Sequence, residues 1–262
     1  FIISAALWFK RLGHPSFSKL QTLKSPLSIV FNKNDLSCID CSVSKCHRLP
    51  FKLCNSNANN PLSLIHSDVW GPFHGSSTGY KFYVLFVDDF SRFTWIYPLF
   101  NKSEVFSKFM IFKAFVEKQF DLPLKILRTD GGGEFANHSM SNFMNLHGIL
   151  HQHSYPHTPS QNGVAERKHL HITETVISLI HHSSLPLTYW FDAIATATFL
   201  INRLPNASRS NCSPFELLFK TKPDYTHLKV FGCLCFPWMK PYSSHKLAPK
   251  STPCIFLGYH PS

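Results

Sequence analysis

The sequence predicts an α/β domain, a mixed sheet flanked by helices, with a small helical module before it and a basic, β-rich tail after it. Three observations predict this class. Through the middle of the chain, segments follow one another as strands, helix, strand, helix, strand, helix, the order of a layered α/β domain. A hydrophobic content of 44%, including 25 Phe, supplies apolar surface for a core and argues against disorder. The polar stretch Asn55-Ser-Asn-Ala-Asn-Asn60-Pro and the change of composition after Pro205 mark the borders. The expected modules are residues 1–54, 61–205 and 206–262, a size that suits one medium domain with small flanking units.

The first module opens with Leu7-Trp-Phe-Lys-Arg-Leu-Gly-His14-Pro-Ser, continues as a helix near Ser16–Leu23, and reaches Cys38-Ile-Asp-Cys41. A Cys-x2-Cys pair is half of a zinc site, because its two thiolates reach one tetrahedral ion. His14 is the natural third ligand, and Cys46, His47 and Cys54 lie within reach in sequence for the fourth.

The second module begins with the strand-like run Leu62–Asp68. Tyr80–Asp89 and Phe93–Leu99 read as two further β-rich runs, with Asp88 and Asp89 in their connection and explained by turn chemistry. From Ser103 to Phe120, Val105, Phe106, Phe109, Phe112, Phe115 and Val116 recur at helical spacing, a core stripe. A short strand at 124–128 leads into a glycine-rich turn holding Asp130. Residues 139–147 suggest a helix and Ile149–His153 a strand. His147, His151, His153 and His157 lack metal-ligand spacing and read as loop and surface residues. The turn signal Ser160-Gln-Asn-Gly then enters a helix with Glu166 in its first turn and an apolar face of Ile172, Val176, Leu179 and Ile180. A last helix runs from Leu187 to Leu204 and is ended by Pro205. In the tail, Ser213–Phe219 reads as a short helix, and Lys229–Pro237 and Cys254–Tyr259 as strand-like pieces of a module that stops before it is complete.

The formal charge is +11, and its distribution says more than its total. Residues 1–60 carry 8 Lys/Arg against 2 acids and residues 183–262 carry 8 against 3, whereas 61–182 hold 10 of each. Basic flanks suit a polyanionic partner, and the carboxylates gather in the middle. The 8 cysteines are too sparse and uneven for a disulfide scaffold. No signal peptide is visible and no apolar run is long enough to span a bilayer, so the expected compartment is a reducing cytosol or nucleus. A first residue of Phe1 rather than Met reads as a piece of something longer.

Three carboxylates stand out. Asp68 and Asp130 each close a strand-like run, and thirty-five residues separate Asp130 from Glu166 at a helix start. Each has an ordinary explanation alone: a turn before Gly71-Pro72, loop chemistry before three glycines, or dipole complementarity worth a few tenths to about 1 kcal/mol. Together they could hold two Mg²⁺ ions roughly 3.5–4 Å apart, the arrangement for in-line phosphoryl transfer. Mg²⁺ takes a few carboxylates plus water and phosphate oxygens, which matches so sparse a set.

These residues carry a resemblance. Leu-Trp-x-Lys-Arg-Leu-Gly-His, Cys-x2-Cys, His-Ser-Asp-Val-Trp-Gly-Pro, Phe-Val-Asp-Asp-Phe-Ser-Arg, Arg-Thr-Asp-x-Gly-Gly-Glu-Phe, Gln-Asn-Gly-Val-Ala-Glu-Arg-Lys-His, Val-Phe-Gly-Cys and Cys-Ile-Phe-Leu-Gly-Tyr run in the order found in integrases of copia-type LTR retrotransposons. The chain resembles that family over nearly its whole length, including the spacing of Asp130 and Glu166. The resemblance implies a ribonuclease-H-like catalytic core with Asp68, Asp130 and Glu166 as catalytic ligands of Mg²⁺ or Mn²⁺. It implies a zinc-finger-like pre-integrase module on His14, Cys38 and Cys41, with Arg167 and Lys168 contacting DNA phosphates. The implied activity is 3′-end trimming and strand transfer of element DNA into chromosomal DNA, performed by a homo-oligomer in the nucleus after a cytoplasmic particle stage, with no membrane partner.

The chain departs from the family pattern in places. Phe9 stands where the family has the first histidine ligand and cannot bind metal, so zinc requires Cys46 or His47 as substitute. Gly131 replaces the usual Asn, and Ser160 is another altered position; neither removes a catalytic carboxylate. The second reading, from a different class, is a catalytically inactive DNA-binding relic of a decayed polyprotein.

Overall fold

The computed structural model describes residues 5–12, 15, 17–22, 30, 38, 58–153, 162–242, 245, 247 and 249–259. The chain divides into two compact units, Phe1–Asn55 and Ser56–Ser262. The first contains helices α1 (Ala5–Arg11) and α2 (Phe17–Thr22), the latter burying Leu20 completely.

The second unit is built on a five-stranded sheet of β1 (Ile65–Trp70), β2 (Phe82–Asp88), β3 (Thr94–Leu99), β4 (Ile126–Thr129) and β5 (Leu150–His153). The spatial order is β3-β2-β1-β4-β5, with β1–β2 and β2–β3 antiparallel and β1–β4 and β4–β5 parallel. Helices α3 (Val105–Phe120), α4 (His138–Leu146), α5 (Gly163–Ser183), α6 (Trp190–Arg203) and α7 (Pro214–Phe219) complete it. This mixed sheet flanked by helices is the ribonuclease-H-like arrangement that the motifs imply. Among the described residues, no helix is long and apolar enough to cross a membrane.

The alternation of β2 decides how the layers stack. Its side chains point to opposite faces in turn, so Val84 and Phe86 meet Phe109 and Phe112 of α3 and Met140 and Met144 of α4. Tyr83, Leu85 and Val87 meet Ala165 and Ile172 of α5 and Trp190, Ile194, Ala197 and Ile201 of α6. Both faces are covered, which is why the strand reads as an unbroken apolar run. The expected stripe of α3 is the core: Val105, Phe109, Phe112 and Val116 are buried, and Phe86 stacks on Phe112 with ring centroids 4.2 Å apart. Phe115, at the edge of the stripe, is 40% exposed.

The connection between β2 and β3 does more than turn. Asp88 accepts from the Leu62 and Ser91 backbone N–H groups at 2.9 and 2.8 Å and from the Ser91 hydroxyl at 2.6 Å. Asp89 accepts from Ala58 N–H at 2.7 Å, meets His66 Nε2 at 2.8 Å and pairs with Arg92 at 3.1 Å. The two acids thus tie the entry of β1 to the end of β2.

Several boundaries differ from the sequence reading. Asp68 lies inside β1 rather than at its end, because Val69 and Trp70 continue the ladder opposite Val84 and Tyr83. His151 and His153 lie in β5, within the strand expected over Ile149–His153, and the His151 ring nitrogen Nε2 lies 3.0 Å from the Thr129 hydroxyl. The last long helix begins as a 3-10 turn, Leu187–Tyr189, before α6. Among the described residues of the tail, β6 (Leu234–Cys235) and β7 (Cys254–Ile255) pair. The segment after β7 packs on α6, Tyr259 stacking on Phe199 at 4.2 Å and Thr196 donating to Leu257 O at 3.2 Å.

Candidate active site

Strand register places the first carboxylate. Asp68 faces Leu85 across the β1–β2 ladder, so its side chain stands on the sheet face covered by α5 and α6. The second follows from the parallel pair. Ile65 and His66 lie beside Leu127 and Arg128, and the same register carried two residues further brings Asp130, just past the end of β4, beside Asp68. The third is set by the start of α5. Asn162, immediately before the helix, is buried and donates from its side-chain amide to Ser67 O at 3.2 Å, which fastens the helix start to β1. Glu166 lies in the first turn and is exposed.

The electrostatics report the convergence. The Asp68 side chain is 20% exposed. Burial, then the charges of Asp130, Glu166 and Glu134, push its carboxyl up to about 7 from 3.8, against a hydrogen bond from Val69 N–H. Asp68, Asp130 and Glu166 thus share one field. Among the described residues, no three His, Cys, Asp or Glu side chains are grouped closely enough to hold a metal ion. Asp130 also accepts from Gly132 N–H at 3.1 Å, and a methyl group at Gly132 would stand 3.0 Å from the Asp130 carboxylate and 2.8 Å from that of Glu134. Glycine at this position lets the turn fold the two acids together.

Three contributors escaped the sequence reading. Glu134, half-buried and paired with Lys102 at 2.9 Å, adds a fourth negative charge. His169, one turn beyond Glu166, places Nε2 3.6 Å from Asp68 Oδ2, while its Nδ1 lies 2.9 Å from the Tyr83 hydroxyl. Burial pushes His169 down to about 3, so it stands beside Asp68 as a neutral ring. The spacing of three between Glu166 and His169 was a legible signal, since such residues share a helix face. Tyr83 lies 86 residues from His169 and gave no local sign.

The other expected residues separate from this group. Arg167 and Lys168 follow Glu166 on α5 but line a different cleft, with Arg92 and His171. Of the expected zinc set, Cys38 is half-buried, whereas His14, Cys41, Cys46 and His47 lie outside the described residues, as do Ser160 and the Phe9 side chain.

With this geometry in place, the chain can be set beside known proteins. Residues 58–159 match the integrase core domain, residues 3–46 the GAG-pre-integrase domain, and residues 233–262 the retroviral polymerase SH3-like domain. The chain is 46% identical over 255 residues to the retrovirus-related Pol polyprotein from transposon RE2 of Arabidopsis thaliana, covering 96% of this chain and 17% of that protein. It is 40% identical over 260 residues to the corresponding polyprotein from transposon TNT 1-94 of Nicotiana tabacum, covering 98% of this chain and 20% of that protein. It therefore spans a fifth or less of the length of these curated relatives. In fold alone, it resembles a chain of the simian T-cell lymphotropic virus intasome solved with PP2A regulatory subunit B56 gamma. That likeness has a TM-score of 0.58 at 14% identity, covering 94% of this chain and 100% of that one. Residues 58–159 thus form an integrase core domain, and over nearly its whole length the chain is similar to the corresponding stretch of the retrovirus-related Pol polyproteins of plant transposons.

Proposed function

We propose that this chain catalyses phosphoryl transfer on double-stranded DNA, trimming the 3′ end of an element and joining it to a target strand. The observation that carries the reading is the shared field of Asp68, Asp130 and Glu166, with the Asp68 carboxyl held near neutrality by burial and by its acidic neighbours. An excess of hard oxygen donors and negative charge in one place fits a divalent cation, which would relieve the repulsion. Asp68, Asp130 and Glu166 would hold it. When bound, Mg²⁺ or Mn²⁺ in this site supplies Lewis acidity to the attacking and leaving oxygens of an in-line displacement.

The chain's own residues have distinct tasks. Asn162 holds the start of α5 against β1, so Glu166 keeps its place relative to Asp68. The neutral His169 ring, positioned by Tyr83, leaves the Asp68 charge available rather than neutralising it. In trimming, the attacker is water; in joining, it is the freed 3′-hydroxyl, and in each case a DNA oxygen leaves as the new P–O bond forms. No covalent enzyme intermediate is required. Arg167 and Lys168 contact DNA phosphates. A zinc ion on His14, Cys38 and Cys41, completed by Cys46 or His47, would order the N-terminal module. The working form would be a homo-oligomer on paired DNA ends in the nucleus.

The test is joining of a labelled short duplex to plasmid DNA in Mg²⁺ or Mn²⁺, comparing the chain with Glu166→Gln. Products that disappear in the variant support the reading. A folded chain that binds duplex but makes no product points instead to the inactive relic, which the Phe9 substitution favours.

A further inference from the structure

Two histidines stand together on β5, across the sheet from Asp68. The parallel register sets His151 beside Leu127 and His153 beside Thr129. Leu127 belongs to the core under α3 and α4, so both imidazoles lie on that face, whereas Asp68 stands on the face covered by α5 and α6. A His-x-His spacing suits neither a helix nor a finger, but on a strand residues two apart point the same way. The two rings accordingly meet, with centroids 3.8 Å apart and planes inclined at 51°. β5 is the last strand of the sheet, His153 is exposed and His151 half-buried, so an ion can reach the pair from solvent.

Hydrogen bonding fixes which nitrogen of His151 is free. The Thr129 hydroxyl donates to Asp130 O at 2.8 Å, because a carbonyl oxygen only accepts, and the hydroxyl has no second proton to give. His151 Nε2, 3.0 Å from the same hydroxyl oxygen, must therefore carry the ring proton and donate it. Nδ1 is left with its lone pair. One ring N–H held by a protein acceptor, the other nitrogen open, is how a protein orients an imidazole to ligate a metal. Burial, then the charge of His153, push His151 down to about 4, which keeps the ring in the neutral form that ligates.

We infer that His151 and His153 form a two-imidazole site for a divalent transition cation of the Zn²⁺, Ni²⁺ and Cu²⁺ class. Imidazole nitrogens suit these ions, whereas Mg²⁺ and Mn²⁺ prefer carboxylate and water oxygens, so the pair and the carboxylates across the sheet select different metals. No third His, Cys, Asp or Glu is grouped with the pair among the described residues, so water completes the coordination and the ion exchanges readily. Thr129 joins the site to the turn after β4, since its hydroxyl touches both His151 and the backbone of Asp130. An ion on the pair holds the edge strand against that turn. The inference does not depend on the phosphoryl-transfer reading.

Ni²⁺ uptake by the full chain is counted by equilibrium dialysis in excess Mg²⁺, which fills the oxygen-rich site, for the parent, His151→Asn, His153→Asn, Thr129→Val, Thr129→Ser and the control His147→Asn, an exposed histidine just past α4. Ions held elsewhere in the chain are common to every variant, so the readout is a difference. His151→Asn and His153→Asn each bind one ion fewer per chain than the parent, and the control binds as many. Thr129→Val weakens that ion by about 10–100-fold, as loss of the group that orients a ligating ring does, and Thr129→Ser keeps it. In electron paramagnetic resonance, a Cu²⁺–iminodiacetate probe couples to two imidazole nitrogens in the parent and to one at most in either single variant. The exposed His153→Asn keeps the thermal midpoint of the parent in EDTA, which separates lost ligation from lost folding. Histidine variants that take up as much Ni²⁺ as His147→Asn overturn the inference. Loss with His153→Asn alone overturns it too, because it marks a single surface imidazole.

Discussion

Asp68 should weaken the fold of the metal-free protein, and removing its charge should strengthen it. Its carboxyl is pushed from 3.8 to about 7 by burial and by Asp130, Glu166 and Glu134. Each tenfold change in proton affinity is worth about 1.4 kcal/mol, so the full effect is about 4 kcal/mol, and residual solvent contact brings the expectation to about 2–4. The sign follows from linkage: the folded state holds this proton more tightly than the unfolded chain. The cost is therefore absent below about pH 4, grows between pH 4 and 7, and is complete above 7. Asp68→Asn keeps an acceptor for Val69 N–H and removes the charge. In urea unfolding with EDTA, the variant should be more stable than the parent by about 2–4 kcal/mol at pH 8 and equal to it near pH 4. Added Mg²⁺ should close the gap at pH 8 by stabilising the parent. A variant no more stable at pH 8, or an advantage that persists at pH 4, would refute the reasoning.

Other expectations test the frame around the site. Phe112→Ala removes a fully buried ring stacked on Phe86 and should cost about 3–5 kcal/mol in urea unfolding, whereas Phe115→Ala, at the exposed edge of the same helix, should cost under about 1. Burial pushes the Asp89 carboxyl up, but bonds from His66 and Ala58 and the charge of Arg92 hold it well below the usual range. Asp89→Asn should then cost about 3 kcal/mol at pH 7, a loss that shrinks below about pH 3.8, where the unfolded parent takes up a proton that the folded parent still excludes. Gly71 has φ +124, and an added Cβ would lie 2.6 Å from Lys81 O. Gly71→Ala should lower the thermal midpoint by several degrees, for a cost of about 2 kcal/mol, as read by calorimetry. Tyr83→Phe removes the hydroxyl partner of His169 and should cost about 1 kcal/mol while leaving Mg²⁺-dependent joining within a few-fold of the parent.

How much of this was legible in the sequence depended on the range of the interaction. The helices over Ser103–Phe120 and after Asn162 were readable because their apolar spacing is a local property, and both cores use the expected residues. The identities of Asp68, Asp130 and Glu166 could be read as acids at strand ends or helix starts. A shared site for them was expected, but what sets Asp130 beside Asp68 was not legible, because it depends on the parallel register of β1 with β4. The extent of β1 was misread because Val69 and Trp70 are extended by their antiparallel partner, not by their own pattern. Glu134 was visible in the glycine-rich turn but had no reason to be counted until that turn folded it towards Asp130. Arg92 was the least legible. A positive φ of 65° in the β2–β3 turn and contacts with distant segments bring it to the α5 cleft, and neither leaves a local mark.

The central claim is that Asp68, Asp130 and Glu166 act as one unit, and the most direct measurement is Mn²⁺-dependent 3′-end trimming by Asp68→Asn, Asp130→Asn, Glu166→Gln and the triple variant. Groups that hold a shared centre lose activity together rather than in independent steps. The account predicts that each single variant falls to the level of the triple while duplex binding in EDTA is retained. Single variants that each keep a measurable share of activity, with losses that multiply to give the triple, would contradict it.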